Sequence, residues 1–121
     1  MKTAELTGAL LDYWVAKAEG RLSFRSTCPE DAGVYTYGRG GEIEYTEDLK
    51  HWSPSTEWEI GGPLMDSGLI STVYWPVDRQ GAAGRWEAFF RADGESYFDE
   101  SRLVAAMRAY VASKFGEDVA Q

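Results

Sequence analysis

The chain has 121 residues, enough for one domain with a real core, and at 44% hydrophobic and 14% aromatic it is too apolar to be a disordered segment. The net charge is −8 with lysines and arginines scattered, which excludes duplex nucleic acid as an expected partner and leaves open a basic protein partner or DNA mimicry. A single cysteine, Cys28, excludes an internal disulfide and suits a reducing cytosol, and no apolar run approaches the roughly 20 residues of a membrane span.

The first residues, MKTAELTGALLDYWV, mix acids into the apolar positions and show no signal-peptide core. Thr7 is the expected N-cap of a first helix, with Leu6 and Leu11 spaced as a hydrophobic staple. Leu10, Leu11, Trp14, Val15 and Ala18 share one stripe, and Gly20 supplies a left-handed stop. Residues 21–26 alternate and read as a short strand, 27–33 as a loop, and 34–37 as a second strand. Gly38, Arg39, Gly40 and Gly41 form a turn that lacks the lysine and helix of a phosphate-binding loop, and 42–45 returns as the hairpin partner.

Residues 46–58 read as a loop, with Pro54 blocking regular pairing. Gly61, Gly62 and Pro63 look like a helix start with Pro63 at the first position, so 64–67 is expected as one short turn closed by Gly68. Residues 69–75 are rich in β-branched and aromatic side chains and read as a strand, 76–84 as a polar loop, and 85–92 as the clearest strand, pairing antiparallel with the former. Asp99 or Ser101 caps a last helix whose buried stripe is Leu103, Val104, Met107, Tyr110, Val111 and Phe115, ended by Gly116. Residues 117–121 are expected as a frayed tail. The order implies a single α+β domain, 1–121, with an antiparallel sheet covered by an N-terminal and a C-terminal helix.

Chemistry is sparse. One histidine, His51, and one thiol exclude a zinc site within one chain, and no serine-hydrolase, zinc-protease or calcium-loop pattern is present. No cofactor, metal or catalytic residue is expected. A binding role suits the parts better. In 51–65, HWSPSTEWEIGGPLM, two large amphipathic rings bracket a hydroxyl-rich turn. Aromatic rings stack on flat bases, hydroxyls and amides hold phosphate or ribose, and arginine neutralises charge. Trp52, Ser53, Ser55, Thr56, Trp58, Gly61 and Gly62 supply those groups in one segment, with Arg39, Arg79, Arg85 and Arg108 as candidate cations.

Three segments carry a resemblance. KTAELTGALLDYWVAKAEG, WSPSTEWEIGGPLMDSGLIS and LVAAMRAYVASKFGEDV, together roughly half the chain, resemble the NinX-like phage proteins, small accessory proteins of tailed bacteriophages whose function is not known. That resemblance implies a phage-encoded protein of the host bacterial cytoplasm and brings no catalytic residues. WSPSTEW, though shorter than the corresponding run, is also similar to small phage anti-defence proteins that hold cyclic-ADP-ribose-type signals as non-enzymatic, oligomeric sponges. This second likeness implies a small nucleotide ligand near Trp52, Ser53, Ser55 and Trp58, and a homo-oligomer. Three readings stand: sequestration of a nucleotide immune signal of the cyclic ADP-ribose or cyclic oligonucleotide type, an acidic protein–protein inhibitor of a host or phage factor, and a hydrolase of the signal.

Overall fold

The computed structural model describes residues 1–24, 28–37, 42–76, 84–91 and 94–119. Helix α1 spans Gly8–Ala18, strand β1 Leu22–Phe24, β2 Gly33–Tyr37, β3 Ile43–Asp48, helix α2 Trp58–Ser67, β4 Ser71–Trp75, β5 Arg85–Phe89, β6 Tyr97–Asp99 and helix α3 Arg102–Phe115. Short 3-10 turns occupy Thr3–Glu5, Pro29–Asp31 and Leu49–His51. The class is α+β, as expected, with the strands divided between two antiparallel sheets ordered β1-β2-β3 and β4-β5-β6. Helix α2 lies between β3 and β4 in the chain and separates the hairpins that feed the two sheets.

Helix α3 is the hub, packed against α1, α2 and all three strands of the second sheet. Ala105, Ala106 and Ala109 are buried along it, and their small side chains let the neighbouring elements approach closely. Leu6, Leu11, Val15, Val34, Leu49, Met107 and Val111 fill the centre. Tyr110 of α3 donates its hydroxyl proton to Glu19, just past α1; burial first, then this bond, raise the tyrosine pKa. The end of α1 is as read: Gly20 has φ +70°, the Arg21 amide reaches the Ala16 carbonyl at 2.9 Å, and the Gly20 amide reaches Lys17 at 3.1 Å.

Helix α2 corrects the expectation of a loop to residue 58 and a single turn after Pro63. It starts at Trp58 and carries Pro63 inside it. Burial of Gly61, Leu64 and Met65 on one face holds this helix together despite residues of poor helical propensity. Its end is as read, at Ser67 with Gly68 as the C-cap. Leu69, not a strand residue, adopts φ +57° as the left-handed cap, with Ile70 N–H to Met65 O at 3.0 Å and Leu69 N–H to Asp66 O at 3.2 Å. Gly61 is needed for another reason. A Cβ there would fall 2.2 Å from the Pro54 carbonyl oxygen and 2.7 Å from Leu103 Cδ2, so only glycine lets α2 lie on the Pro54 turn. Gly61→Ala is expected to destabilise the fold by about 2 kcal/mol in urea unfolding, as overpacking of a filled core does.

Other boundaries shift. β3 runs on to Asp48, into the stretch expected as loop, pairing Gly33 with Asp48 and Thr36 with Tyr45. β5 stops at Phe89, and β6, unforeseen in the sequence, pairs Ala88 with Tyr97 and Trp86 with Asp99. Ser101 is the N-cap of α3, accepting from the Val104 amide at 3.3 Å, while Asp99 accepts the Ser101 amide at 2.8 Å. The expected glycine turn at 38–41 and most of the 76–84 loop lie outside the described residues. Instead of fraying, the C-terminal segment is clasped to the N-terminus. Thr3 N–H meets Glu117 O at 2.8 Å, Val119 N–H meets Met1 O at 2.9 Å, and Val119 is buried.

Candidate functional site

The central stretch closes inward. Trp52 is 5% exposed and belongs to the core, with the Arg21 guanidinium carbon 5.7 Å from its ring centre. Ser53 spends its carbonyl on the amides of Thr56 and Glu57, at 3.1 and 2.8 Å, and the Thr56 hydroxyl turns back to the same oxygen at 3.5 Å. Ser55 is buried, and its amide donates to Asp12 Oδ1 at 3.0 Å. The Ser55 hydroxyl lies near the same carboxyl without forming a well-aligned hydrogen bond. Burial pushes the Asp12 pKa up to about 6, the Glu57 charge adds to the rise, and the Ser55 groups offset part of it. The two indoles therefore do not face one pocket together: Trp52 is sealed inside and Trp58 stands outside.

That outer ring, Trp58, is 50% exposed and opens α2. Arg102, the first residue of α3, sets its guanidinium carbon 5.3 Å from the Trp58 ring centre and 4.9 Å from that of Trp86 in β5. Tyr74 in β4 follows, 5.0 Å from Trp86 between ring centres, and is 51% exposed. Thr72 orients the arginine by accepting its Nε–H at 3.0 Å. The result is a stack running Trp58, Arg102, Trp86, Tyr74. A cation at the first turn of a helix opposes the helix dipole, so attraction to two indole faces is what favours Arg102 there. Exposed carboxylates rim the stack in sequence: Glu57 and Glu59 flank Trp58, and Glu100 precedes Ser101 and Arg102.

The remaining predicted positions do not join it. Gly61 is buried against Pro54, while Gly62 faces Trp58, where a Cβ would lie 3.6 Å from Cε3. Arg85 stacks 4.5 Å above Phe98 on the opposite face of the second sheet. Arg108 is a strap: its Nε donates to Leu6 O at 2.7 Å, and Nη1 to Phe98 O at 2.8 Å and Asp99 Oδ1 at 3.4 Å. Arg108→Met is expected to lower stability by about 2 kcal/mol in thermal or urea unfolding, because charge-assisted bonds to two segments are lost. Arg79, like Arg39, lies outside the described residues.

Among the described residues, concavities lie elsewhere. A cleft of about 180 Å³ is lined by Phe90, Arg91, Tyr97, Ala109 and Ala112 among others, and a shallower one of about 310 Å³ by Arg85, Phe98, Asp99 and Glu100. Neither includes a residue of the central stretch. Among the described residues no group of three or more His, Cys, Asp or Glu is placed to hold a metal ion, and no helix is long and apolar enough to cross a membrane. Arg102, Trp86, Tyr74 and Asp12 were not singled out in the sequence. An arginine at the start of a helix, where the dipole disfavours a cation, was the local signal for the stack.

Fold and surface define a small α+β protein that presents an aromatic and guanidinium stack on an acidic chain. A comparison with curated proteins finds no match. The family described as Bacteriophage P22, NinX matches residues 2–114, and the chain belongs to it. The match makes it a phage NinX-family protein and does not extend to the likeness to signal-holding sponges.

Proposed function

We propose that this protein is a non-enzymatic accessory factor that docks a basic protein of the host or phage on the stack of Trp58, Arg102, Trp86 and Tyr74. The observation that supports this is a half-exposed tryptophan, pre-oriented by Arg102 and flanked in sequence by the exposed Glu57 and Glu59. Trp, Tyr and Arg are the residues that most often dominate protein interfaces. The carboxylate rim and the net charge of −8 favour a cationic partner and oppose a phosphate-bearing one.

The test is capture from lysate of phage-infected host cells at low and high salt, with purification of the captured protein. Trp58→Ala, which stays folded, is expected to weaken affinity for it at least thirtyfold, the loss of about 2 kcal/mol typical of a hot spot. Raising the salt should weaken capture further. Undiminished binding by Trp58→Ala would remove this surface from the reading.

A second reading, sequestration of a cyclic nucleotide or cyclic ADP-ribose isomer, is favoured by one observation: a half-exposed indole can stack on a base. Calorimetry against a panel of those compounds tests it, and heat with any of them that Trp58→Ala abolishes would put it first. Recovery of intact compound from the denatured complex would separate holding from hydrolysis. Against it, such ligands favour concave sites of about 300–1,000 Å³, and neither concavity above is lined by Trp58, Arg102, Trp86 or Tyr74.

A further inference from the structure

Four strands lie at sheet edges: β1, β3, β4 and β6. A bare edge offers unpaired amides and carbonyls to any passing strand, and proteins usually guard it with charge, proline or brevity. β1 and β6 are three residues long, and β6 ends in Asp99. β3 has six residues but carries Glu44, Glu47 and Asp48. β4, Ser-Thr-Val-Tyr-Trp, has five residues, no charge and no proline. Val73, Tyr74 and Trp75 are 41%, 51% and 52% exposed. Among the described residues no backbone hydrogen bond pairs its far edge.

We propose that β4 is the seam of a homodimer, in which two copies pair their β4 strands antiparallel about a two-fold axis at Val73 and merge two three-stranded sheets into one of six. A second copy is the occupant for three reasons. First, each copy carries −8, so self-association needs a contact free of like charge. β4 supplies one in a chain with 26% charged residues.

Second, the strand is self-complementary in this register. Val73 meets Val73, Thr72 meets Tyr74, and Ser71 meets Trp75, all residues of high or neutral strand preference. Third, the sheet face shared by Val73 and Trp75 carries Arg85 and Glu87, whose charges cancel. Glu87 is also tied down, accepting from Trp75 Nε1 at 3.0 Å and from the Ser96 hydroxyl at 2.5 Å. Two such faces can adjoin without repulsion. A five-residue seam spans about 17 Å, short against the roughly 800 Å² per partner of a standard interface. The dimer is therefore expected to dissociate on dilution. The seam follows main chain and needs no docked partner, although it shares Thr72 and Tyr74 with the surroundings of the stack.

The test is sedimentation equilibrium of the full chain from about 1 to 500 µM. The expected result is a mass that climbs from one chain toward two. Val73→Glu, which sets two carboxylates face to face, should stay at one chain over the same range with an unchanged melting temperature. In a Cys28→Ser background, Val73→Cys should yield a covalent dimer with a short thiol-to-thiol crosslinker, and Phe98→Cys on β6 should not. A wild-type chain of monomer mass throughout, a Val73→Glu chain that still dimerises, or equal crosslinking through position 98 would each overturn the proposal. Should Val73→Glu fail to fold, the crosslinking pair decides.

Discussion

Trp52→Ala is expected to lower the unfolding free energy by about 3–5 kcal/mol, the range for deleting a buried tryptophan. Trp52 is 5% exposed within the same cluster as Leu49, Leu64 and Met107, so its removal leaves a cavity that backbone already fixed by α2 and the Pro54 turn cannot refill. The matched change Trp58→Ala should cost less than about 1 kcal/mol, since half of that ring is already in water and only the arginine contact is lost. Urea unfolding followed by far-ultraviolet circular dichroism compares the two without relying on the tryptophans themselves. Equal losses for both would mean that Trp58 is packed as tightly as Trp52, and the docking surface would lose its centre.

The second large effect is on Asp12. Its pKa is about 6 in the fold against an ordinary 3.8, so between those values the folded chain holds a proton that the unfolded chain has released. Stability from this group is complete below about pH 4, declines as the pH rises through 6, and is flat above. Asp12→Asn cannot ionise, keeps an oxygen for the Ser55 amide and offers an N–H to the Ser55 hydroxyl. The variant should match wild type near pH 4 and exceed it by up to about 3 kcal/mol at pH 8, following 1.36 kcal/mol per pKa unit. Urea unfolding of both proteins at pH 4, 5, 6, 7 and 8 measures the difference. A difference that does not vary with pH would show that the carboxyl stays charged and solvated in the fold.

What the sequence revealed follows from the range of the forces involved. Helices α1 and α3 were legible with their ends, because stripe, cap and glycine stop all lie within a few residues: Leu11, Trp14 and Val15 before Gly20, and Ser101 before Leu103 and Met107. β4 and β5 were legible from β-branched and aromatic alternation. Helix α2 was not, since Gly61, Gly62 and Pro63 argue locally against a helix, and what holds them is burial against Pro54 and Leu103. β6 has three residues, too few for a period. The same limit governs the surface. Trp58 was named, but Arg102, Trp86 and Tyr74 come to it only through the packing of α3 on the second sheet. Arg108 was named as a cation for a ligand and proves to be a tie among three backbone and side-chain oxygens. Asp12 was hidden by its apolar neighbours, because a short carboxylate beside Leu11 reads as the wet side of a helix.

The clasp between Met1–Thr3 and Glu117–Val119 bears on how the polypeptide matures at the ribosome. Thr3, whose hydroxyl donates to Gly116 O at 2.7 Å, and Leu6, whose carbonyl is held by Arg108, meet partners translated 113 and 102 residues later. That earlier segment waits, unsatisfied, until α3 leaves the exit tunnel. Nascent chains stalled short of that helix should leave the leading amides open to solvent exchange.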